Sequence, residues 1–329
     1  MFKICIIGCG GIAENFHAPA IAKYCADYPD SYFAACCDID VDKAKTVAEK
    51  FGLKNYYNNY KEMIQAEQPH AVCILTSYSA TPAIAIDIIN MGIPVMMEKP
   101  PGATGDGVLQ IANAARDKQV ITQVAFNRRF TPLAVKFKEM IHADKSPVCC
   151  LRCTFQRIER YDEDFHTTAI HGIDTLRYLI GSDYKHIRFR YQELYEIGRY
   201  VANVHLDCYF ETGNMAQLVF YPCAGKVIED YYATCENSDY ILKMPVWGSP
   251  EYPGGITHYK RNEIKTYIDG NDIGFGTEMF EKFGFYSENE DFFNNVKAKR
   301  KSVNGIDSAY QSVVIAECIQ KRLAEYTGA

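Results

Sequence analysis

Residues 1–16, MFKICIIGCGGIAENF, decide how the rest of the chain is read. Phe2 to Ile7 is a short apolar run of the length of a buried strand. Gly8-Cys9-Gly10-Gly11-Ile12-Ala13 follows at once and opens an amphipathic stretch, so a helix is expected from about Ile12 to Tyr24. This is the G-x-G-x-x-(G/A) pattern between a strand and a helix, the context that gives it meaning. Gly8 permits a tight turn, Gly10 lets a pyrophosphate approach the backbone, and small Ala13 lets helix and strand pack closely. The helix start adds unpaired N–H groups and about half a positive charge for the phosphates. Gly8, Cys9, Gly10, Gly11 and Ile12 are therefore the first candidate dinucleotide contacts, the competing reading being a tight turn without a ligand.

Outward from this turn the chain alternates short apolar strands with helices. Strands are expected at Tyr32–Cys37, Ala71–Leu75, Val95–Met97 and Val120–Ala125, with helices at Val41–Phe51, Pro82–Met91 and Asp106–Lys118. Such alternation implies βαβ units and a doubly wound parallel sheet, a Rossmann domain over residues 1–126. Asp38 ends the second strand, where a carboxylate can accept from both ribose hydroxyls and would repel a 2′-phosphate, so NAD is preferred over NADP. Capping of the helix that starts near Val41 is the competing role for Asp38. Thr76 and Ser77, after the strand at 71–75, are small polar residues suited to the dinucleotide cleft.

After about Asn127 the rhythm changes. Helices are expected at Leu133–Ile141, Thr168–Ile180, Glu288–Lys299 and Asp307–Glu325, and extended segments at Val148–Arg157, Ile187–Ile197, Val201–Glu211 and Met215–Tyr221. Glu211-Thr212-Gly213-Asn214 reads as a hairpin turn. Residues 127–329 thus form a second α/β domain with a large open, mainly antiparallel sheet.

Composition narrows the function classes. A formal net charge of −6 gives no global field for nucleic acid, and no apolar run approaches the ~20 residues of a membrane span. The apolar stretch at the N-terminus is too short for a secretory signal, so a cytoplasmic location is the expectation. Thirteen cysteines without regular spacing read as reduced thiols. Cys150 and Cys153 form a C-x-x-C, but on a strand and without the second pair a structural zinc needs. The basic run Lys297–Lys301 follows a helix, where cations complement the dipole. No metal is expected.

Met96-Met97-Glu98-Lys99-Pro100-Pro101 lies at the carboxyl end of an inner strand, the edge where open α/β sheets bind ligands. The Lys99 ammonium can hydrogen-bond a reacting oxygen and stabilise alkoxide character. A surface ion pair between Glu98 and Lys99 is the bland alternative.

The glycine motif, Glu98-Lys99-Pro100, Asn127-Arg128-Arg129-Phe130 and His171-Gly172-Ile173-Asp174 together resemble the Gfo/Idh/MocA oxidoreductase family, which includes glucose–fructose oxidoreductase and inositol dehydrogenase. The order and spacing match over nearly the whole chain. The resemblance implies NAD(P)-linked oxidation or reduction of a sugar, cyclitol or derivative, and a homo-oligomer, dimer or tetramer, built on the open sheet. By it Lys99 is the catalytic lysine and His171 the acid/base, near the start of a helix whose dipole favours neutral imidazole. Asp174 would orient the histidine or bind a sugar hydroxyl, Arg128 would contact substrate or cofactor, and Arg129 would brace the domain junction. Glu98, Lys99 and Asn127 join the cofactor contacts. One departure stands out. Many members carry an aspartate four residues before this histidine, and here that position is Thr167, counted as a substrate contact. Asp164 or His166 then takes over the missing carboxylate's part, or the proton relay is weaker, or the chemistry differs. Two other readings stay open: an NAD-dependent glycosidase acting by transient oxidation and elimination, and a non-catalytic NAD-binding regulatory protein.

Overall fold

A computed structural model describes residues 1–144, 148–274 and 276–328; the expected end of the second domain, Ala329, lies outside the described residues. In chain order it has β1 (Phe2–Ile7), a single π turn (Ala13–His17) running into α1 (Ala18–Asp27), β2 (Ser31–Cys37), α2 (Val41–Phe51), β3 (Asn55–Tyr57), α3 (Tyr60–Glu67), β4 (Ala71–Ile74), α4 (Thr81–Asn90), β5 (Val95–Glu98), α5 (Gly105–Lys118) and β6 (Thr122–Ala125). A 3-10 turn (Asn127–Phe130) leads to α6 (Pro132–Ala143), β7 (Val148–Gln156), α7 (His166–Ile180), β8 (Tyr184–Glu193), β9 (Ala202–Phe210) and β10 (Met215–Tyr221). Next come β11 (Ile228–Cys235), β12 (Ser238–Lys243), β13 (Gly255–Lys260) and β14 (Glu263–Asp269). The chain closes with α8 (Met279–Lys282), α9 (Phe285–Lys297), α10 (Ile306–Gln320) and β15 (Glu325–Thr327).

Packing divides the chain into two units: Met1–Asn127 with Glu278–Val313, and Arg128–Thr277 with the residues from Val314 onward. The first contains a six-stranded sheet in the order β3-β2-β1-β4-β5-β6, with every pair parallel. This is the doubly wound order that reverses beside its first strand, between β1 and β4. The strands are short and apolar because helices cover both faces; β4 and β6 are buried along their whole length. Local signals fix the helices. Asp40 caps α2 by accepting the Asp42 N–H, and Gly52 ends it in the left-handed region. Thr104 caps α5 through the Gly107 N–H.

The first domain was expected to end at residue 126 and to contain nothing from the C-terminal third. By packing, Glu278–Val313 group with the first unit. Phe283, Phe285, Tyr286, Phe292 and Phe293 belong to the same buried cluster as Ile4, Ile6 and Tyr24. The Phe16 and Phe285 rings stack with centroids 4.8 Å apart, and the Tyr24 and Phe293 rings lie 4.9 Å apart. Each such side chain contributes about 1.5–3 kcal/mol on burial, so the aromatic face of α8–α9 outweighs its distance along the chain.

The second unit contains a nine-stranded sheet, β14-β13-β12-β11-β7-β10-β9-β8-β15. Only β7 and β10 pair in parallel; the other pairs are antiparallel. This is the open, mainly antiparallel sheet expected. β9 alternates buried and half-buried residues throughout, and the 211–214 loop joins it to β10 as a hairpin. Two expected elements end early. The strand drawn to Ile197 stops at Glu193, and the helix drawn to Glu325 stops at Gln320, where Arg322 enters the left-handed region and the chain turns into edge strand β15.

Among the described residues twelve cysteines are free thiols, no group of His, Cys, Asp and Glu is placed to hold a metal, and no helix is long and apolar enough to cross a membrane. Cys150 and Cys153 lie on β7, the strand expected there. Burial pushes the Cys5 thiol up to about 12 and the Cys73 thiol well above the usual range, so neither is an activated nucleophile.

Candidate active site

In a parallel sheet every strand ends on the same edge. That edge gathers Gly8 after β1, Asp38 after β2, Thr76 and Ser77 after β4, Lys99 after β5 and Asn127 after β6. Gly8 has φ +98°, and a Cβ there would lie 2.4 Å from the Leu75 carbonyl oxygen, so the β1 and β4 ends approach too closely for a side chain. Gly10 differs. Its Cβ would meet nothing within 4 Å, so nothing inside the chain requires a glycine there. The open space against the helix start leaves room for a group the size of a pyrophosphate. Cys9 is buried, whereas Gly10, Gly11 and Ile12 are exposed. Ala13, 1% exposed, sits in the core as its close-packing role requires.

Asp38 is tied into this turn. The Cys9 N–H donates to one of its oxygens at 2.7 Å and the Asp40 N–H to the other at 2.9 Å. Capping of α2, the alternative for Asp38, falls to Asp40 instead. Thr76 Oγ1 lies 3.0 Å from Thr81 Oγ1, and Ser77 Oγ 3.0 Å from Ser79 Oγ, so both hydroxyls belong to the turn before α4. Asn127, nearly buried, donates its side-chain N–H to the Phe283 carbonyl at 2.9 Å.

Glu98 is not half of a surface ion pair. Its Oε1 lies 3.0 Å from His17 Nε2, and its Oε2 accepts the backbone N–H of Lys99 at 2.8 Å. Burial alone would raise this carboxyl; the hydrogen bond from His17 and the nearby positive charges hold it below the usual glutamate value. Lys99 itself is half-buried, with Pro100 and Pro101 buried behind it in sequence.

In the second unit His171 sits on α7, 9% exposed. It stands in the second turn of a helix that begins at His166, not in the first turn, so the dipole argument for it loses most of its force. Gly172 explains its seating. A Cβ there would lie 2.9 Å from the Phe155 ring and 3.0 Å from the Phe220 ring, so the helix rides directly on β7 and β10 at this point. His171 Nε2 lies 3.3 Å from Arg128 Nη1. A guanidinium can only donate, so Nε2 accepts there and holds the lone pair. Arg128 is clamped in turn. Its Nε and Nη2 donate to the two oxygens of Glu229 at 2.7 and 2.6 Å, and Arg157 donates to the same carboxylate. Glu229 is 1% exposed; burial would raise its carboxyl, and the two guanidinium groups hold it below the usual value. Asp174 is clasped by Arg129, through Nε at 2.7 Å and Nη2 at 2.6 Å, which holds α7 to the turn that opens this unit. Thr167 Oγ1 donates to the Asp164 carbonyl at 2.8 Å. His166, 3% exposed, is the first residue of α7, and burial lowers its affinity for a proton. Sequence reading missed Glu229, Arg157 and the part played by His17, none of which lies in a short motif.

A doubly wound sheet with a glycine turn at its switch point is the dinucleotide-binding arrangement of open α/β folds. Comparison with known proteins adds relatives. Residues 2–126 match the model described as GFO_IDH_MocA, an oxidoreductase family with an NAD-binding Rossmann fold. Among curated relatives, inositol 2-dehydrogenase/D-chiro-inositol 3-dehydrogenase of Shouchella clausii (strain KSM-K16) is 28% identical over 198 residues, 57% of this chain and 56% of that protein. Inositol 2-dehydrogenase of Burkholderia cenocepacia (strain HI2424) is 32% identical over 193 residues, 55% of each. The chain spans a little over half the length of the curated relatives it matches. Among solved structures, levoglucosan dehydrogenase in complex with NADH aligns with TM-score 0.80 and 18% identity, over 99% of this chain and 98% of that one, which shows a shared fold.

Proposed function

We propose that this protein is an NAD-dependent dehydrogenase acting on a secondary hydroxyl of a sugar, cyclitol or sugar derivative. The observation that carries the reading is the shared sheet edge that gathers the glycine turn, Asp38 and Lys99. Gly8 to Ile12 hold the pyrophosphate at the helix start. Asp38 keeps lone pairs for the ribose hydroxyls and opposes a 2′-phosphate, which favours NAD over NADP. Thr76, Ser77, Glu98 and Asn127 complete the cofactor contacts. The bound nicotinamide supplies the two-electron acceptor. Lys99 donates a hydrogen bond to the reacting oxygen and stabilises its alkoxide character. His171 takes the hydroxyl proton at Nε2, giving up its contact with Arg128 as it does so. Arg128 and Thr167 line the substrate side, whereas Asp174, 1% exposed and clasped by Arg129, is turned from sugar binding to bracing α7. The curated relatives named as inositol dehydrogenases support the cyclitol class. A homo-oligomer follows from the same resemblance; Ile264 and Tyr267, each 62% exposed on edge strand β14, fit a surface that a second copy covers.

The test is a panel of cyclitols, aldoses and anhydrosugars incubated with NAD or NADP, read by the absorbance of reduced nicotinamide. At least one polyol is expected to give NADH, with NADP at least tenfold slower, and Lys99→Met should lower kcat by about 10²–10³. Release of nitrophenol from nitrophenyl glycosides without NADH would replace this reading by elimination chemistry. Tight NAD binding with no turnover on any member would leave a regulatory protein.

A further inference from the structure

One polar side chain of the first unit, His17, is fully buried and takes no part in the chemistry just described. His17 has no exposed surface; its Nε2 lies 3.0 Å from Glu98 Oε1 and 4.0 Å from Glu288 Oε1. Its Nδ1 lies 3.1 Å from the side-chain nitrogen of Asn289. The same Asn289 nitrogen donates to the Phe285 carbonyl at 2.8 Å, and Asn289 Oδ1 faces the Cys73 thiol, which fixes which way the amide points. An amide nitrogen can only donate, so His17 Nδ1 accepts and the ring proton stands on Nε2, aimed at Glu98. The other Glu98 oxygen receives the Lys99 backbone N–H. An unbroken series of hydrogen bonds therefore runs from α9 through His17 to the peptide group of Lys99.

A second, independent feature marks the same residue. His17 closes the π turn that opens the first helix, where the Ala18 N–H reaches back to the Ala13 carbonyl. π turns are rare and recur at functional positions, because the extra residue re-aims the side chains that follow. Here the side chain belongs to the helix whose start carries the glycine turn, and it meets Glu98, the last residue of β5, directly before Lys99.

We propose that His17 is a positioning residue for Lys99: by donating Nε2–H to Glu98 it fixes the carboxylate that holds the Lys99 peptide, and so couples the dinucleotide-binding helix to the lysine's placement. This rests on the catalytic role proposed for Lys99. Its test compares His17→Gln, which keeps an N–H donor, with His17→Phe, which fills the volume and donates nothing, using the polyol identified in the panel. His17→Phe is expected to lower kcat roughly tenfold to a hundredfold, the scale for a small misplacement of a reacting group, with KM and the Kd for NAD within about threefold of wild type. His17→Gln is expected to recover most of that loss. Equal loss in the two variants, unchanged kcat in His17→Phe, or a parallel weakening of NAD binding would overturn the proposal. Nuclear magnetic resonance supplies readouts that need no turnover and no His17→Phe protein. In the wild type, His17 should carry its proton on Nε2 and the Lys99 amide proton should resonate as a strong hydrogen-bond donor; Glu98→Gln should weaken that donation. A proton on Nδ1, or a Lys99 amide indifferent to Glu98→Gln, would overturn the clamp. A wild type inert to every polyol yet showing both signals would overturn the dehydrogenase reading and leave the clamp standing.

Discussion

At Glu229 two guanidinium groups share one buried carboxylate, and the consequences are unequal for the three partners. Removing the carboxylate leaves Arg128 and Arg157 with uncompensated buried charge, which costs about 3–5 kcal/mol. Glu229→Gln is therefore expected to destabilise the protein by that order in urea unfolding at neutral pH. The sign with pH follows from the lowered carboxyl of Glu229. A depressed folded-state value means the contribution is intact above the ordinary glutamate value of 4.5 and is lost as pH falls below it, so wild type and variant should converge in strong acid. A variant as stable as wild type at neutral pH would show that the triad contributes nothing. Lys99 and His171 were legible because each stands in a short motif. Glu229 was not, since 101 residues separate it from Arg128, and a buried glutamate has no local signature. Thr167 marks the same limit. The sequence left open whether Asp164 or His166 takes the missing aspartate's part, the relay is weaker or the chemistry differs, and it gave no sign that the Arg128 guanidinium lies 3.3 Å from His171.

At the scale of elements, the two glycines of the first turn separate folding from binding. Gly8→Ala puts a Cβ 2.4 Å from a backbone oxygen at a positive φ, a clash with no flexible side chain to yield. It should cost several kcal/mol, at the upper end for single substitutions, and abolish soluble expression or lower the melting temperature sharply. The Cβ of Gly10→Val meets nothing within 4 Å, so its melting temperature should stay within a few degrees of wild type while calorimetry shows NAD affinity reduced tenfold or more. Equal melting temperatures for the two variants would contradict the roles given to the two positions. Strand and helix positions in the first 126 residues were readable because each apolar run is bounded by its own caps and turns. Residues 55–67 and 228–269, for which the pattern set no element, form β3, α3 and β11 to β14. β14 shows why: its first five residues are exposed, so no burial pattern is written into its sequence. The π turn was invisible for another reason, because His17 joins it through partners on β5 and α9 that only the folded chain brings near.

At the scale of the molecule, chain order and domain membership diverge. The aromatic stretch 278–313 completes the first core although it follows the whole nine-stranded sheet, so a cut at residue 126 would expose Phe16, Tyr24 and their partners. The proposed chemistry uses two side chains far apart in the sequence, Lys99 and His171. If the two serve a single oxygen in one step, their effects on turnover cannot be independent. The decisive measurement is kcat for Lys99→Met, His171→Ala and the double variant, with NAD and the polyol found in the panel. Each single variant is expected to lose about 10²–10⁴-fold, and the double variant no more than about tenfold beyond the worse single. Full multiplication of the two losses, or undiminished turnover in either single variant, would contradict a shared catalytic step.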